Sequence, residues 1–141
     1  MEPRDRWDYL TRLDEEMLRG GVLLSEWTSF LMRDADEAFV SGANLASLLT
    51  AMSAIETHLR GEHSDKSCRL VDLIAASDFA PDLKQELHDL RRYRNRWVHV
   101  SDPWDDDGLL TNPEQHEAEL ESIARRALVA LRKVAYSDPW I

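Results

Sequence analysis

Apolar residues recur along most of this chain at intervals of three and four, the signature of helices with one buried face. Trp7, Leu10, Leu13 and Met17 set that pattern over residues 4–19, and Gly20-Gly21 stops it. A second helix is predicted from near Ser25, with Glu26 in its first turn, through Trp27, Phe30, Leu31, Ala38 and Phe39. Ser41-Gly42 breaks the run, and Asn44 is expected to cap the third helix. Residues 44–60 carry Leu45, Leu48, Leu49, Met52, Ile55 and Leu59 in a wide stripe that Gly61 should end. After a polar loop over 62–66, residues 67–76 predict a short helix with Leu70, Leu73 and Ile74 inward.

Pro81 suits the first helical position of the next segment, where Leu83, Leu87 and Leu90 repeat up to an Arg-rich stretch. Asp102-Pro103 disfavours continuation, and residues 104–112 form an acidic loop. Asn112-Pro113 opens the last helix, carried by Leu120, Ile123, Ala127, Leu128, Leu131 and Val134. Ser-Asp-Pro-Trp occurs at 101–104 and again at 137–140, each time after a helix, so Trp104 and Trp140 are expected to fold back onto the bundle. The predicted architecture is all-α. An antiparallel bundle of about five helices over residues 22–141 follows a helical extension over residues 1–21.

Composition narrows this picture. A length of 141 residues suits one hydrophobic core, and five glycines with five prolines leave too few turns for a many-stranded β fold. The single cysteine, Cys68, forms no intramolecular disulfide and supports no thiolate-only zinc site. The charged opening MEPRDRWDYL is unlike a secretory signal, and no apolar run approaches the roughly 20 residues of a membrane span. A cytoplasmic protein without membrane contact is therefore expected. His58, His63, His88, His99 and His116 lack the helix-spaced acidic or His partners typical of metal sites. No glycine-rich phosphate loop and no Gly-x-Ser-x-Gly is present, so neither metal nor cofactor is expected.

The formal net charge of −10 argues against a general nucleic-acid coat, because such binding is mostly phosphate neutralisation by Lys and Arg. The charge is uneven, however. Residues 91–99 read Arg-Arg-Tyr-Arg-Asn-Arg-Trp-Val-His, with Arg91, Arg92, Arg94 and Arg96 inside six positions. At about 100° per residue, Arg94 lines up with Leu83, Leu87 and Leu90, while Asn95 and His99 sit roughly 100° and 140° round the helix. A long cation on an apolar stripe is costly without a partner, so a buried carboxylate or a second subunit should lie beside it. Taken alone, an Arg-rich helix end with a terminal His fits the C-terminal helix dipole, and Tyr93 and Trp97 fit ordinary packing.

Arg94-x4-His99, with Asn95 directly after the Arg and Val98 directly before the His, resembles the ribonuclease motif of the HEPN superfamily. The surroundings resemble it too. Ala38-Phe39-Val40-Ser41-Gly42 leads into a helix with Ile55-Glu56 and Leu59-Arg60, and Leu87-His88-Asp89-Leu90-Arg91 leads into the motif. The resemblance spans about residues 25–136 and implies a helical bundle that dimerises so that two motifs face one cleft. Catalytic members cut single-stranded RNA without metal, the ribose 2′-OH attacking the adjacent phosphate. Carried over, His99 would be the general acid or base, Arg94 would hold the scissile phosphate, and Asn95 would orient one of them. Arg91 and Arg96 would widen an RNA-binding cleft, and Glu56 would support the site structurally as a partner for Arg94. Some toxin members carry a Tyr two residues after the motif His, where a partner enzyme modifies it; here that position is Ser101.

The leading expectation is thus a metal-independent endoribonuclease acting on single-stranded RNA as a homodimer. It would be a toxin or antiviral defence effector, paired with an antitoxin or defence-system protein. The alternative is a non-catalytic HEPN-like module that binds a protein or a nucleotide.

Overall fold

The computed structural model describes residues 2–105 and 108–137, which form six α-helices and no strand. These are α1 (Pro3–Met17), α2 (Glu26–Val40), α3 (Asn44–Glu62), α4 (Leu70–Ala76), α5 (Pro81–Val98) and α6 (Pro113–Ala135). The chain is therefore all-α, and none of the described helices is long and apolar enough to cross a membrane. Helix α3 runs through the centre, packed between α2 and α6. Its buried face is rich in small residues, Ser47, Ala51 and Ala54, and meets Ala35 of α2, whose carbonyl accepts from the Ser47 hydroxyl at 2.9 Å. Ala124, Ala127 and Ala130 give α6 an equally slim face. Leu48, Met52, Ile55, Leu128 and Leu131 fill the space between.

Helix boundaries follow local chemistry. Ser25 caps α2, its hydroxyl accepting from the Thr28 amide at 3.1 Å. Between α2 and α3, Gly42 adopts φ 85°, with its amide on the Phe39 carbonyl and the Ala43 amide on the Ala38 carbonyl. That paired arrangement is a Schellman stop, and a residue with a Cβ would be strained there. Among the boundaries that differ from expectation, two have a visible cause. Asn44 is the first helical residue of α3 rather than its cap, because its side chain is drawn into a buried network: it accepts from Arg6 at 2.8 Å and donates to Glu117 at 3.0 Å. Gly61 does not end α3, which continues to Glu62 while Lys66 donates to the Arg60 and Gly61 carbonyls from the loop after the helix.

Helix α1 shares the common core through Leu10 and through Arg6, whose guanidinium lies 4.5 Å from the Phe39 ring centroid and donates to the Phe39 carbonyl. A second buried cation has no counterpart in the expected pattern. Arg132 of α6 is fully buried between Asp14 of α1 and Asp36 of α2, 2.9 Å from each. Tyr136, one turn later, donates its hydroxyl to Asp14 at 2.6 Å. Burial alone would weaken the charge on Arg132, but attraction and hydrogen bonding to Asp36, with Asp14 beyond, raise its pKa above the ordinary value.

Several aromatics are less buried than their spacing suggests. Trp27 and Phe30 occupy the solvent side of α2, and Trp7 is half-exposed on α1, since Met32, Ala35 and Phe39 already complete the inner face of α2. Trp104 does not fold back onto the bundle: it is 93% exposed. Asp102 explains the difference, because its carboxylate accepts the Trp104 amide at 3.0 Å and turns the chain away from the helices. Trp140 lies outside the described residues.

Removing one partner of a buried ion pair strands the other, at a cost of about 3–5 kcal/mol. Arg132→Met is expected to lower Tm by roughly 10–20 °C. Adding Asp36→Leu should recover most of that loss, because the uncompensated carboxylate is then gone. Thermal unfolding followed by circular dichroism decides the matter, and an Arg132→Met variant as stable as wild type would contradict it.

Candidate functional site

Helix α5 begins as Pro81 and Asp82 dictate, with proline in the first turn and an acid at the positive end of the helix dipole. Leu87 and Leu90 are fully buried, and Leu83, Tyr93 and Trp97 pack against the core beside them. Two polar ties fix α5 to α6. Tyr93 donates to Glu119 at 3.1 Å, and Arg126 forms a close two-pronged pair with Glu86. The side of α5 turned away from α6 carries the motif.

Arg94 continues the line of Leu83, Leu87 and Leu90, yet at the end of the helix the core thins and the residue is only half-buried. No carboxylate meets it. Its Nε and Nη2 donate to Asn95 Oδ1 at 3.3 and 2.9 Å. Glu56 sits 3.7 Å from Arg60 instead, so the structure does not bring the expected supporting residue to Arg94. His99 is the C-cap of α5, with its amide on the Asn95 carbonyl at 2.9 Å and its imidazole exposed. Asn95 therefore joins the motif: its side chain holds Arg94 and its carbonyl ends the helix at His99. Five residues separate Arg94 and His99 by about 7.5 Å along the axis and about 140° round it.

Arg91 lies on the same side, a turn before Asn95. Its Nε is buried without a hydrogen-bond partner. Burial, and then the neighbouring guanidinium groups of Arg92, Arg94 and Arg69, push its pKa below the ordinary arginine value, although it stays charged. His88, one turn earlier, has a buried Nδ1 without a partner, and burial with the charges of Arg91 and Arg92 pushes its pKa down, which favours the neutral ring. The sequence placed His88 only in the segment that leads into the motif, and it did not single out Arg69. The i, i+3, i+7 spacing of His88, Arg91 and Asn95 is the signal that places them on one face. Arg96 goes elsewhere: it is exposed, 5.3 Å from the Tyr93 ring centroid, and two positions from Arg94 puts it about 200° round the helix.

The distribution of partners distinguishes these cations. Arg6, Arg33, Arg60, Arg69, Arg92, Arg126 and Arg132 each have a carboxylate within ion-pair distance. Among the described residues Arg4, Arg12, Arg19, Arg91, Arg94, Arg96 and Arg125 have none, and Arg91 and Arg94 differ from Arg4, Arg12, Arg19 and Arg96 in being partly buried. Arg91 and Arg94 thus bring two guanidinium groups without a carboxylate to one end of α5 in a chain of net charge −10. A cavity of about 490 Å³ between α3 and α4, bordered by Leu59, Leu73 and Phe79, touches no motif residue. Among the described residues, no three His, Cys, Asp or Glu side chains gather as a metal-ligand set. Comparison of the chain with protein-family models, with curated proteins and with solved structures finds no match in any of the three.

A cation kept for a ligand contributes little to the empty protein, or opposes its folding. Arg91→Met should accordingly melt at the wild-type temperature or a few degrees higher at low salt, roughly 1–5 °C by the usual scaling. A fall of comparable size in the same thermal scan would mean that Arg91 serves the fold.

Proposed function

We propose that this chain is a HEPN-like, metal-independent endoribonuclease that cleaves single-stranded RNA as a homodimer, with a toxin or antiviral role. The observation that carries the reading is the pair of unpaired guanidinium groups, Arg91 and Arg94, on the same side of α5 as Asn95 and one turn from an exposed His99. In the proposed reaction the ribose 2′-oxygen attacks phosphorus, the P–O5′ bond breaks, and a 2′,3′-cyclic phosphate and a 5′-OH remain. Arg94 holds the charged phosphoryl oxygens, whose charge grows in the transition state. His99 takes the proton from the 2′-OH or delivers one to the leaving O5′. Asn95 keeps Arg94 extended along the last turn. The dimer is supported by two exposed apolar residues, Val98 and Val100, that flank His99 and would be covered by a second copy.

The exposed acidic turn with Asp102 and Asp105 favours the second reading, a non-catalytic docking or nucleotide-binding module, because it repels a phosphate backbone. Activity separates the two. Purified protein with RNA in excess EDTA is expected to cleave it, leave DNA of the same sequence intact, and yield cyclic-phosphate ends by mass spectrometry. His99→Ala should lose about 10²-fold or more, the scale of an acid–base residue. Arg94→Lys should fail as well, because a point charge cannot reproduce a bidentate fork on phosphate. His99 is exposed, so its variant should melt as wild type does. Equal cleavage by His99→Ala, or loss of cleavage in EDTA, would remove the ribonuclease reading.

A further inference from the structure

Just beyond His99 the chain forms a groove of about 390 Å³, lined by Arg96, Trp97, Val100, Trp104, Leu110 and His116 among others. Its size falls at the small end of ligand pockets. Trp97 is anchored on the core, while Trp104 and Leu110 are almost entirely exposed. Displaying a large aromatic and a large aliphatic side chain to water beside a half-buried Trp is unfavourable unless something apolar and flat covers them.

Charge selects among the candidates for that cover. Arg91 and Arg94 make one side of α5 suited to phosphate. The groove lies on the Arg96 side, where Asp105 contributes a carboxylate to the lining and Asp102 stands close by in sequence. Arg96 and Asp105 offset one another in the lining, so the groove offers a phosphate no net attraction and suits an uncharged ring. Bases of single-stranded nucleic acid stack on exposed aromatic side chains irrespective of sequence, and an Arg beside the ring adds a cation–π contact.

We propose that the Trp97–Trp104 groove is a nucleobase subsite, taking one unstacked base of single-stranded RNA on the opposite side of the last turn of α5 from Arg91 and Arg94. The proposal rests on the ribonuclease reading for the identity of the strand. The division of labour follows from it: the guanidinium face grips the backbone, and the groove across the last turn of α5 grips a base. Trp104 then sets affinity for the strand rather than the chemical step, so its loss raises KM for RNA cleavage and leaves kcat near wild type.

The test uses a short fluorescent 2′-deoxy oligonucleotide, which offers bases and phosphates but no 2′-OH, so binding is read apart from cleavage. Trp104→Ala should weaken binding about 5- to 100-fold, and Trp104→Phe should stay within about threefold of wild type, the range expected for one stacked base. Both should melt as wild type, because the Trp104 side chain lies almost wholly in water. An oligonucleotide carrying one abasic position should lose the same affinity for wild type and lose nothing further for Trp104→Ala, since both changes remove one contact. Wild-type binding by Trp104→Ala, or losses that simply multiply, would overturn the subsite. So would conversion of a dimer to a monomer by Trp104→Ala, which would give the groove to a second copy. A lysine-rich peptide that binds through Trp104 while the oligonucleotide does not would give it to a protein. Trp104-dependent binding without RNA cleavage would sink the ribonuclease reading alone, and cleavage with Trp104-independent binding would sink the subsite alone.

Discussion

The fully buried guanidinium of Arg132 is the constraint around which the rest of the bundle is arranged. It draws Asp14 of α1 and Asp36 of α2 onto α6, and Tyr136 closes the group from the same helix. A charge in this position cannot be half-satisfied, so all three helices must reach their final places together. Burial nonetheless pushes the Asp36 carboxyl above its ordinary range, against the pull of Arg132, and one Asp36 oxygen has no hydrogen-bond partner. The group specifies a geometry more than it adds stability. Arg6 does similar work at the other end, binding the Phe39 carbonyl and Asn44 and lying 3.4 Å from Glu121.

This use of cations explains how an acidic protein comes to hold a basic site. The chain has 27 Asp and Glu against 17 Lys and Arg, so carboxylates are available almost everywhere, and arginines such as Arg33, Arg92 and Arg126 each have one. On the side of α5 that bears the motif two partly buried arginines have none, as several exposed arginines elsewhere also do. Arg94 is held by an amide oxygen, Arg91 is crowded by like charges, and the expected supporting acid, Glu56, is engaged with Arg60. In the proposed reading, the missing counter-charge suits these guanidinium groups to a ligand of opposite sign, and the surrounding negative charge would confine that ligand to one place. Attraction is local to the last three turns of α5.

Much of the fold was legible from periodicity, because long helices with one apolar face announce themselves at every turn. Leu83, Leu87 and Leu90 point inward as their spacing requires, and Pro81 and Ser25 start their helices for the reasons those residues usually do. The buried arginine was legible in kind but found in the wrong place. A cation on an apolar stripe was expected to need a buried carboxylate at Arg94. That condition is met at Arg132, four residues after Leu128 and three before Ala135, on the stripe of a longer helix with core on every side. Arg94 stands at a helix end, where packing thins and the same spacing no longer means burial. The displayed Trp104 was not legible, since Asp102 redirects the chain by a hydrogen bond that no periodicity encodes. At the candidate site, the junction of Arg94 with Asn95 and the helix end at His99 followed from their closeness in sequence, whereas the separation of Arg96 from Arg91 depends on angle and was hidden by that same closeness.

The central claim is that Arg91 and Arg94 are left without carboxylates in order to hold phosphates of a single strand. Each phosphate so neutralised contributes about 0.7 to the slope of log affinity against log salt concentration. Measuring that slope for an uncleavable single strand, with Arg91→Met, Arg94→Met and the ion-paired Arg33→Met compared with wild type, tests the claim directly. The account requires a slope shallower by about 0.7 for each of the first two variants and no change for the third. A slope that stays the same in Arg91→Met and Arg94→Met, or falls equally in Arg33→Met, would contradict it.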